Sequence, residues 1–228
     1  MIHPSAIIHP DATLHPSVVV EPFCIIGSDH GHLYLGEGSI IRSHSIIEGG
    51  NIIGNGLETG HHVLIRTGNE IGTNLRLGTM SRLEGGGEIG DYVRIHGDCE
   101  MTKGVLRDFA RIYGGSYITD NRLPPSTVNV PAILDEGSVL CMNSVVIAGV
   151  RMGIGSFVGA SSVVSRDVAD AMAYVGGKYR PVSELHWQDY SYPWTGYYRD
   201  YPAAAQTRLA ELHSRITSAL ADMGEMVA

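Results

Sequence analysis

Large aliphatic residues recur every six positions along most of this chain, and this period constrains the fold more than any other feature. Six matches neither the 3.6-residue period of an α-helix nor the two-residue period of a simple strand. Fixed repeats build solenoids, in which no single turn is stable alone and stacked turns share one core. The repeat heads are Ile2, Ile8, Leu14, Val20, Ile26, Leu35, Ile41, Ile47, Ile53, Ile65, Ile71, Leu77, Leu83, Ile89, Ile95, Met101, Leu106, Ile112, Ile118, Leu134, Leu140, Val146, Met152, Val158 and Val164.

Small residues occupy the fourth position after most heads, and Gly often follows the head directly, as in Gly78 and Gly159. We interpret each hexad as a short strand that points one aliphatic and one small residue inward, followed by a tight corner. Three such strands make a triangular coil, and coils stack at about 4.8 Å. The pattern predicts an all-β solenoid, a parallel β-helix with triangular coils, over residues 2–168. Cys24 and Cys99 fall on the small inward position and are predicted to be buried free thiols.

The repeat is interrupted at three places, near residues 27–34, 57–64 and 119–133. Interruptions of a solenoid map to loops, often on the binding face. The third contains two consecutive prolines, which stiffen a loop.

A C-terminal extension, residues 169–228, follows the repeat. It begins with a predicted capping crossover and continues with an aromatic-rich segment at 187–201. From about Ala203 to Met223 the apolar residues follow a helical period, which predicts an α-helix. We expect this extension to pack on the solenoid or on a neighbouring subunit; the alternative is that its aromatic residues line a ligand site.

Composition excludes some functions. The net charge is −8, with 16 Lys and Arg against 24 Asp and Glu, which argues against general nucleic-acid binding. No apolar run is long enough for a membrane span, and the start of the chain does not resemble a secretory signal. Three widely spaced cysteines predict no disulfide framework and favour a cytoplasmic location.

Several segments resemble the hexapeptide-repeat acyltransferases of the left-handed β-helix type, over roughly residues 2–180. SVLCMNSVVIAGVRMGIGSFVGASSVVSRDV, residues 138–168, resembles the last coils of acetyl-CoA-dependent members. TGHHVLIRTGNEIG, SRLEGGGEIGDYVRIHGDCEM and YITDNRLPPS resemble sugar acetyltransferases, including enzymes that acylate an amino sugar on a nucleotide carrier. The resemblance implies a left-handed β-helix, acetyl-CoA as cosubstrate and a homotrimer with ligand grooves between subunits.

The same resemblance places the catalytic base in the TGHH segment. A histidine suits this role because its pKa lies near neutrality. His61 is the first candidate and His62 the second, with Glu58 or Glu84 orienting the imidazole. The alternative is an outward histidine that packs against a neighbouring subunit. His3, His9, His15 and His96 are interpreted as outward corner residues.

Acceptor binding is assigned to the interrupted hexads. Asp120 and Asn121 are candidates to hold the acceptor, with an Asx turn as the alternative. In the sugar acetyltransferases that this chain resembles, the loop reads Thr-Asn-Asp, whereas here Asp precedes Asn. His30 and His32 are expected to border the acceptor site together with Glu84. We predict no metal, because His30 and His32 lack the further spaced ligands that zinc requires.

Coenzyme A is expected along the late coils. The family pattern indicates Ala148, Ala160 and Ser161 for the pantetheine arm. Arg166, Lys178 and Arg180 are candidates for the phosphates, with a solvated end cap as the alternative. The resemblance thus implies an N-acetyltransferase that acts on an amino sugar carried by a nucleotide. An O-acetyltransferase that acts on a sugar or small alcohol, or a non-catalytic assembly subunit, stays open.

Overall fold

The structure, a computed structural model, describes residues 1–121, 130–187, 190–191 and 201–227. These residues form short strands followed by a short 3₁₀-helix, Val182–Glu184, and one α-helix, α1, Ala203–Val227. The strands are β1 Ile7–Ile8, β2 Ala12–Leu14, β3 Val19–Val20, β4 Ile25–Ile26, β5 Leu33–Leu35, β6 Ile40–Ile41, β7 Ile46–Ile47, β8 Ile52–Ile53, β9 Glu58–Thr59, β10 Leu64–Ile65, β11 Glu70–Ile71, β12 Arg76–Leu77, β13 Arg82–Leu83, β14 Glu88–Ile89, β15 Arg94–Ile95, β16 Glu100–Met101, β17 Gly104–Leu106, β18 Arg111–Ile112, β19 Tyr117–Ile118, β20 Ala132–Leu134, β21 Val139–Leu140, β22 Val145–Val146, β23 Arg151–Met152, β24 Phe157–Val158, β25 Val163–Val164, β26 Met172–Val175, β27 Lys178–Pro181, β28 His186–Trp187 and β29 Tyr190–Ser191.

Every third strand joins the same parallel sheet, so the chain winds into a three-sided solenoid. Sheet A runs from β3 through β24 to β26, with β27 added antiparallel at its end. Sheet B runs from β1 to β25 and sheet C from β2 to β23. The corners between them are called the A–B, B–C and C–A corners, in chain order. The predicted β-helix with triangular coils is confirmed.

The repeat heads form the core of the solenoid. From Val20 to Val164 nearly all heads are buried, and they stack in register, as Ile47 does on Ile26 and Ile65. The small inward residues are buried too, with Ser45, Ser81 and Ser144 fully inaccessible. Their hydroxyls donate to backbone carbonyls, which removes the cost of burying them.

Two of the three predicted loop excursions can be compared with the structure. Residues 27–34 form a lengthened corner between β4 and β5, as expected. Residues 57–64, in contrast, continue the regular coil, so the excursion predicted there is wrong. Thr59 takes the head position with 2% exposure, and its hydroxyl accepts the Arg42 N–H at 2.9 Å. A polar head is therefore accommodated without a loop. The centre of the 119–133 excursion, residues 122–129, lies outside the described residues.

Helix α1 packs along the C–A corner. Leu209, Leu212 and Ile216 are buried against a cluster that includes Tyr92 and Phe109. Arg208 Nη1 reaches Asp91 Oδ2 at 2.8 Å, and its other nitrogen pairs with Asp108. The sequence predicts both this helix and the packing of the C-terminal extension on the solenoid.

Of the aromatic-rich segment, the described side chain is Tyr201, which is 6% exposed on sheet A. Its hydroxyl donates to the Tyr92 carbonyl at 3.1 Å and accepts from Arg111 at 3.3 Å. Tyr192, Trp194, Tyr197 and Tyr198 lie outside the described residues. Whether the remaining aromatic residues line a ligand site stays a prediction.

Candidate functional site

A groove of about 350 Å³ crosses the outer surface of sheet A where the sheet meets the A–B corner. Strands β9, β12 and β15 form its floor, and side chains of three successive coils form its walls. The lining residues are Arg42, Glu58, Thr59, Gly60, Arg76, Leu77, Gly78, Thr79, Arg94, Ile95, His96 and Gly97.

Glycines at the start of the corner keep this groove open. Gly60 and Gly78 each follow a head residue directly. A Cβ atom on Gly60 would collide with the backbone nitrogen of Thr79, and one on Gly78 with that of Gly97. Because the coils approach so closely here, no side chain fits at these two positions, and the groove floor is backbone.

Charged side chains line the groove in a column set by strand register. Glu58, Arg76 and Arg94 are outward neighbours on adjacent strands of sheet A, and Arg111 follows them on β18, beyond the groove and buried against Tyr201. Glu58 pairs with Arg76 and with Arg42, whose Nη2 lies 3.1 Å from its Oε1. The groove is thus predominantly basic although the whole chain is acidic.

His61 lies at the A–B corner, next to Gly60 at the edge of the groove. Its Nδ1 is 2.9 Å from Ser43 Oγ and 4.0 Å from Glu21 Oε2, and its side chain is half exposed. The Ser43 N–H, together with Arg42, holds the pKa of Glu21 below its usual value, so this carboxylate is charged at neutral pH. Of the predicted orienting residues, Glu58 pairs with arginines of the groove and Glu84 with arginines of the B–C corner, so their role towards His61 stays a prediction.

His62, the second candidate base, belongs to an exposed stack at the same corner. Its ring stacks on His44 at 4.8 Å, and His44 stacks on Phe23 at 5.0 Å. All three residues adopt a positive φ near 60°, a backbone conformation that non-glycine residues rarely adopt. The repeated corner geometry therefore aligns these rings on successive coils.

His96, which the repeat predicts to be an outward corner residue, lines the groove directly. It takes the position held by Gly60 and Gly78 in the preceding coils, and its ring stacks on Tyr113 at 4.4 Å. Partial burial, followed by the charge of Arg111, lowers the pKa of His96. Its neutral form, which can accept a proton, is thereby favoured. An imidazole directly after a repeat head, where the two preceding coils have glycine, is the sequence signal for it.

Comparison with solved structures decides the fold. No protein-family model and no curated protein sequence matches the chain. A UDP-N-acetylglucosamine acyltransferase from Bacteroides fragilis superposes with a TM-score of 0.62 at 17% identity, covering 79% of this chain and 73% of that one. The fold is the left-handed hexapeptide-repeat β-helix.

Two further acyltransferases of UDP-N-acetylglucosamine share this left-handed β-helix. The Francisella novicida enzyme has a TM-score of 0.60 at 20% identity and covers 79% of this chain and 69% of its own. The Campylobacter jejuni enzyme has a TM-score of 0.50 at 18% identity and covers 92% and 82%.

The acceptor residues predicted from sequence lie along the B–C corner of the left-handed β-helix, away from His61. Glu84 pairs there with Arg66, at 3.2 Å, and with Arg82. Asp120 accepts the Thr102 hydroxyl at 3.0 Å. The structure therefore brings none of these candidates to the groove of its own chain. They are His30, His32, Glu84, Asp120 and Asn121.

The coenzyme residues predicted from sequence are divided between corners of the last two coils. The B–C corner holds Ala148, which is 2% exposed, and Arg166. The A–B corner holds Ala160 and Ser161. Five strand spacings separate Ala160 from His61, which is roughly 24 Å along the solenoid.

The two remaining coenzyme candidates, Lys178 and Arg180, belong to β27 at the end of sheet A. In the part of the chain that the structure describes, neither they nor Arg166 pair with a carboxylate. The predicted coenzyme residues therefore do not form a single pocket within one chain.

The left-handed β-helix has neither a metal-type cluster nor a membrane-type helix in its described part. Within residues 1–121, 130–187, 190–191 and 201–227, no three His, Cys, Asp or Glu side chains converge as a metal site would require. Nor is there, among the same residues, a helix both long and apolar enough to cross a membrane.

Proposed function

We propose that this protein is an acyltransferase that moves an acyl group from a coenzyme A thioester to a nucleotide-linked sugar. The fold, common to three acyltransferases of a nucleotide sugar over 79–92% of this chain, supports acyl transfer. Acetyl-CoA as donor and an amino group as acceptor follow from the sequence resemblance. Ala148, Ala160, Ser161, Arg166, Lys178 and Arg180 stay candidates for the coenzyme.

One observation carries the catalytic part of the proposal: His61 stands at the edge of the basic groove with its Nδ1 held by Ser43 and faced by Glu21. A carboxylate beside Nδ1 favours the tautomer protonated there, which leaves Nε2 as the proton acceptor. Both partners face the same nitrogen, so the arrangement differs from a Ser-His-acid triad. His61 is a general base, and Ser43 is a positioning residue.

The reaction follows from these roles. Nε2 removes a proton from the acceptor as its nitrogen or oxygen attacks the thioester carbonyl. The tetrahedral intermediate carries its negative charge on the former carbonyl oxygen, which backbone N–H groups stabilise. Collapse of the intermediate breaks the carbon–sulfur bond, and coenzyme A leaves with a proton returned to its thiolate.

Transfer to a hydroxyl is the second candidate, and the named substrate of the structural neighbours favours it. In UDP-N-acetylglucosamine the sugar nitrogen already carries an acetyl group, so those enzymes must acylate another atom. A panel of nucleotide sugars with free and with acetylated amines distinguishes the two acceptors.

A homotrimer is part of the proposal. The outward residues of sheet B form a column that is apolar apart from the pair Arg82 and Glu100, and in it Ile7, Ile25 and Val163 are 63%, 40% and 60% exposed. Burying such a column is favourable at about 25 cal/mol per Å². A subunit contact along sheet B would also bring B–C corner residues of one subunit towards another, which keeps His30, His32, Glu84, Asp120 and Asn121 as acceptor candidates.

We also propose a cytoplasmic location, because coenzyme A and nucleotide sugars are made there and the three cysteines are free thiols.

Release of free thiol from acetyl-CoA, read with a chromogenic thiol reagent, tests the function. We expect turnover with a nucleotide sugar, and a loss of about 10²–10⁴-fold in kcat for His61→Asn. His15→Asn is the matched control, because His15 Nδ1 makes the same local contact with a serine, Ser17, at 2.8 Å on the C–A corner.

Two results would contradict the proposal. If His61→Asn retains full turnover while His96→Asn loses it, His96 replaces His61 as the base. If no acyl acceptor releases thiol and acetyl-CoA gives no protection from thermal unfolding, the non-catalytic assembly subunit is the better interpretation.

A further inference from the structure

Three arginines stand one above another on the outside of sheet A. Arg76, Arg94 and Arg111 occupy equivalent outward positions of β12, β15 and β18, in direct register. Neighbouring strands are about 4.8 Å apart, so the guanidinium groups repel one another. Like charges directly opposite on adjacent strands are destabilising unless something offsets them.

Among the described residues, carboxylates pair with the Arg76 end of this column. Glu58 pairs with Arg76 and Arg42, and Glu21 pairs with Arg42 at 2.9 Å. The other described acids nearby, Asp91 and Asp108, pair with Arg208 at the C–A corner. At the groove, Arg42 and Arg76 therefore face two glutamates, and Arg94 leaves an excess of one positive charge among the described residues.

Arg94 is held in place by uncharged groups. Its Nη1 donates to the Asn74 carbonyl at 3.1 Å, and its guanidinium lies 4.7 Å from the centre of the Tyr201 ring. Among the described residues no carboxylate lies within ion-pair distance of it. Burial, together with the charges of Arg76 and Arg111, lowers the pKa of Arg94. A bound anion would relieve this repulsion.

We propose that the groove on sheet A binds a phosphate or diphosphate group, with Arg94 and Arg76 as its principal ligands. Arginine matches phosphate oxygens with two parallel N–H donors. Thr79 contributes a neutral donor. Its Oγ1 accepts a hydrogen bond from the backbone N–H of His61 at 3.3 Å, and its own hydroxyl proton stays available for a ligand. A groove of about 350 Å³ has room for a diphosphate and part of its nucleoside.

The assignment deepens the proposed function and rests on it for the identity of the ligand, because both proposed substrates carry a diphosphate. It differs from the sequence-based prediction, which placed phosphates on Arg166, Lys178 and Arg180. The groove also reaches Gly60 and Thr79, which contact the corner that carries His61.

Calorimetric titration of the full chain with inorganic pyrophosphate tests the site apart from catalysis. We expect binding that weakens with added salt, and at least about tenfold lower affinity in Arg94→Gln. Arg82→Gln is the matched control, because Arg82 is an outward arginine of sheet B that pairs with Glu100. Arg76→Gln is a second variant, and circular dichroism melting checks that each variant is folded.

Competition then identifies the ligand. Displacement of pyrophosphate by coenzyme A but not by UDP assigns the groove to the donor, and the reverse assigns it to the nucleotide sugar. The site is overturned if pyrophosphate, coenzyme A and UDP all fail to bind, or if they bind the folded Arg94→Gln and Arg76→Gln variants as tightly as the control. Anion binding without acyl transfer would retain the site and refute only the proposed activity.

Discussion

Replacing Tyr201 with phenylalanine tests how the C-terminal extension is attached to the solenoid. Tyr201 is 6% exposed, and its hydroxyl makes two buried hydrogen bonds, to the Tyr92 carbonyl and to Arg111. A neutral buried bond contributes about 0.5–1.5 kcal/mol and one to a charged group about 1.5–3 kcal/mol. The Arg111 bond is long, at 3.3 Å, so we take the lower end of its range. Tyr201→Phe should therefore lower the free energy of unfolding by about 2–3 kcal/mol.

Urea unfolding followed by circular dichroism measures this loss. The control is Tyr34→Phe on sheet C, because Tyr34 is 41% exposed. The control should change stability by less than about 0.5 kcal/mol. If Tyr201→Phe changes the midpoint no more than Tyr34→Phe does, at equal denaturant dependence, the hydroxyl does not hold the tail on sheet A and the argument fails.

Two further outcomes are expected. Burial lowers the pKa of His96 and of His213, so below the ordinary histidine pKa of about 6.5 the unfolded chain binds more protons than the native one. The melting temperature should therefore fall as the pH drops from neutrality through that window. In a His96→Gln, His213→Gln double variant this fall should be shallower, and an unchanged dependence of the melting temperature on pH would refute the argument. Ile46→Glu on sheet B should dissociate the proposed trimer in light scattering, whereas Ile52→Glu on sheet C, with a side chain 61% exposed, should not; equal behaviour of the two would remove sheet B as the interface.

The fold could be predicted from sequence because its rule is local. Each hexad sets its own strand and corner, and a coil needs only the next coil to bury its heads. Even Thr59, which lacks an aliphatic side chain, keeps the six-residue repeat in phase, since its hydroxyl oxygen accepts a hydrogen bond from the backbone N–H of Arg42. The helix was predictable for the same reason, because an apolar stripe of period 3.6 is visible within one segment.

The candidate site was only partly predictable. His61 was found through a motif, and the structure gives it Ser43 and Glu21 as neighbours in place of the expected Glu58 or Glu84. His96 was overlooked because its importance depends on Gly60 and Gly78 in other coils. A hexad reveals which residue points outward, but not which outward residues share a groove.

The sequence by itself determined the period, the buried heads, the helix and the acidic balance of the chain, because each of these is a property of near neighbours. The tertiary structure alone decided which side chains meet. Strand register stacks Arg94 between Arg76 and Arg111, and α1 returns to place Arg208 beside Asp91 across 117 residues. Such meetings depend on how many residues each corner consumes and on where the tail folds back, and both are set by packing of the whole solenoid.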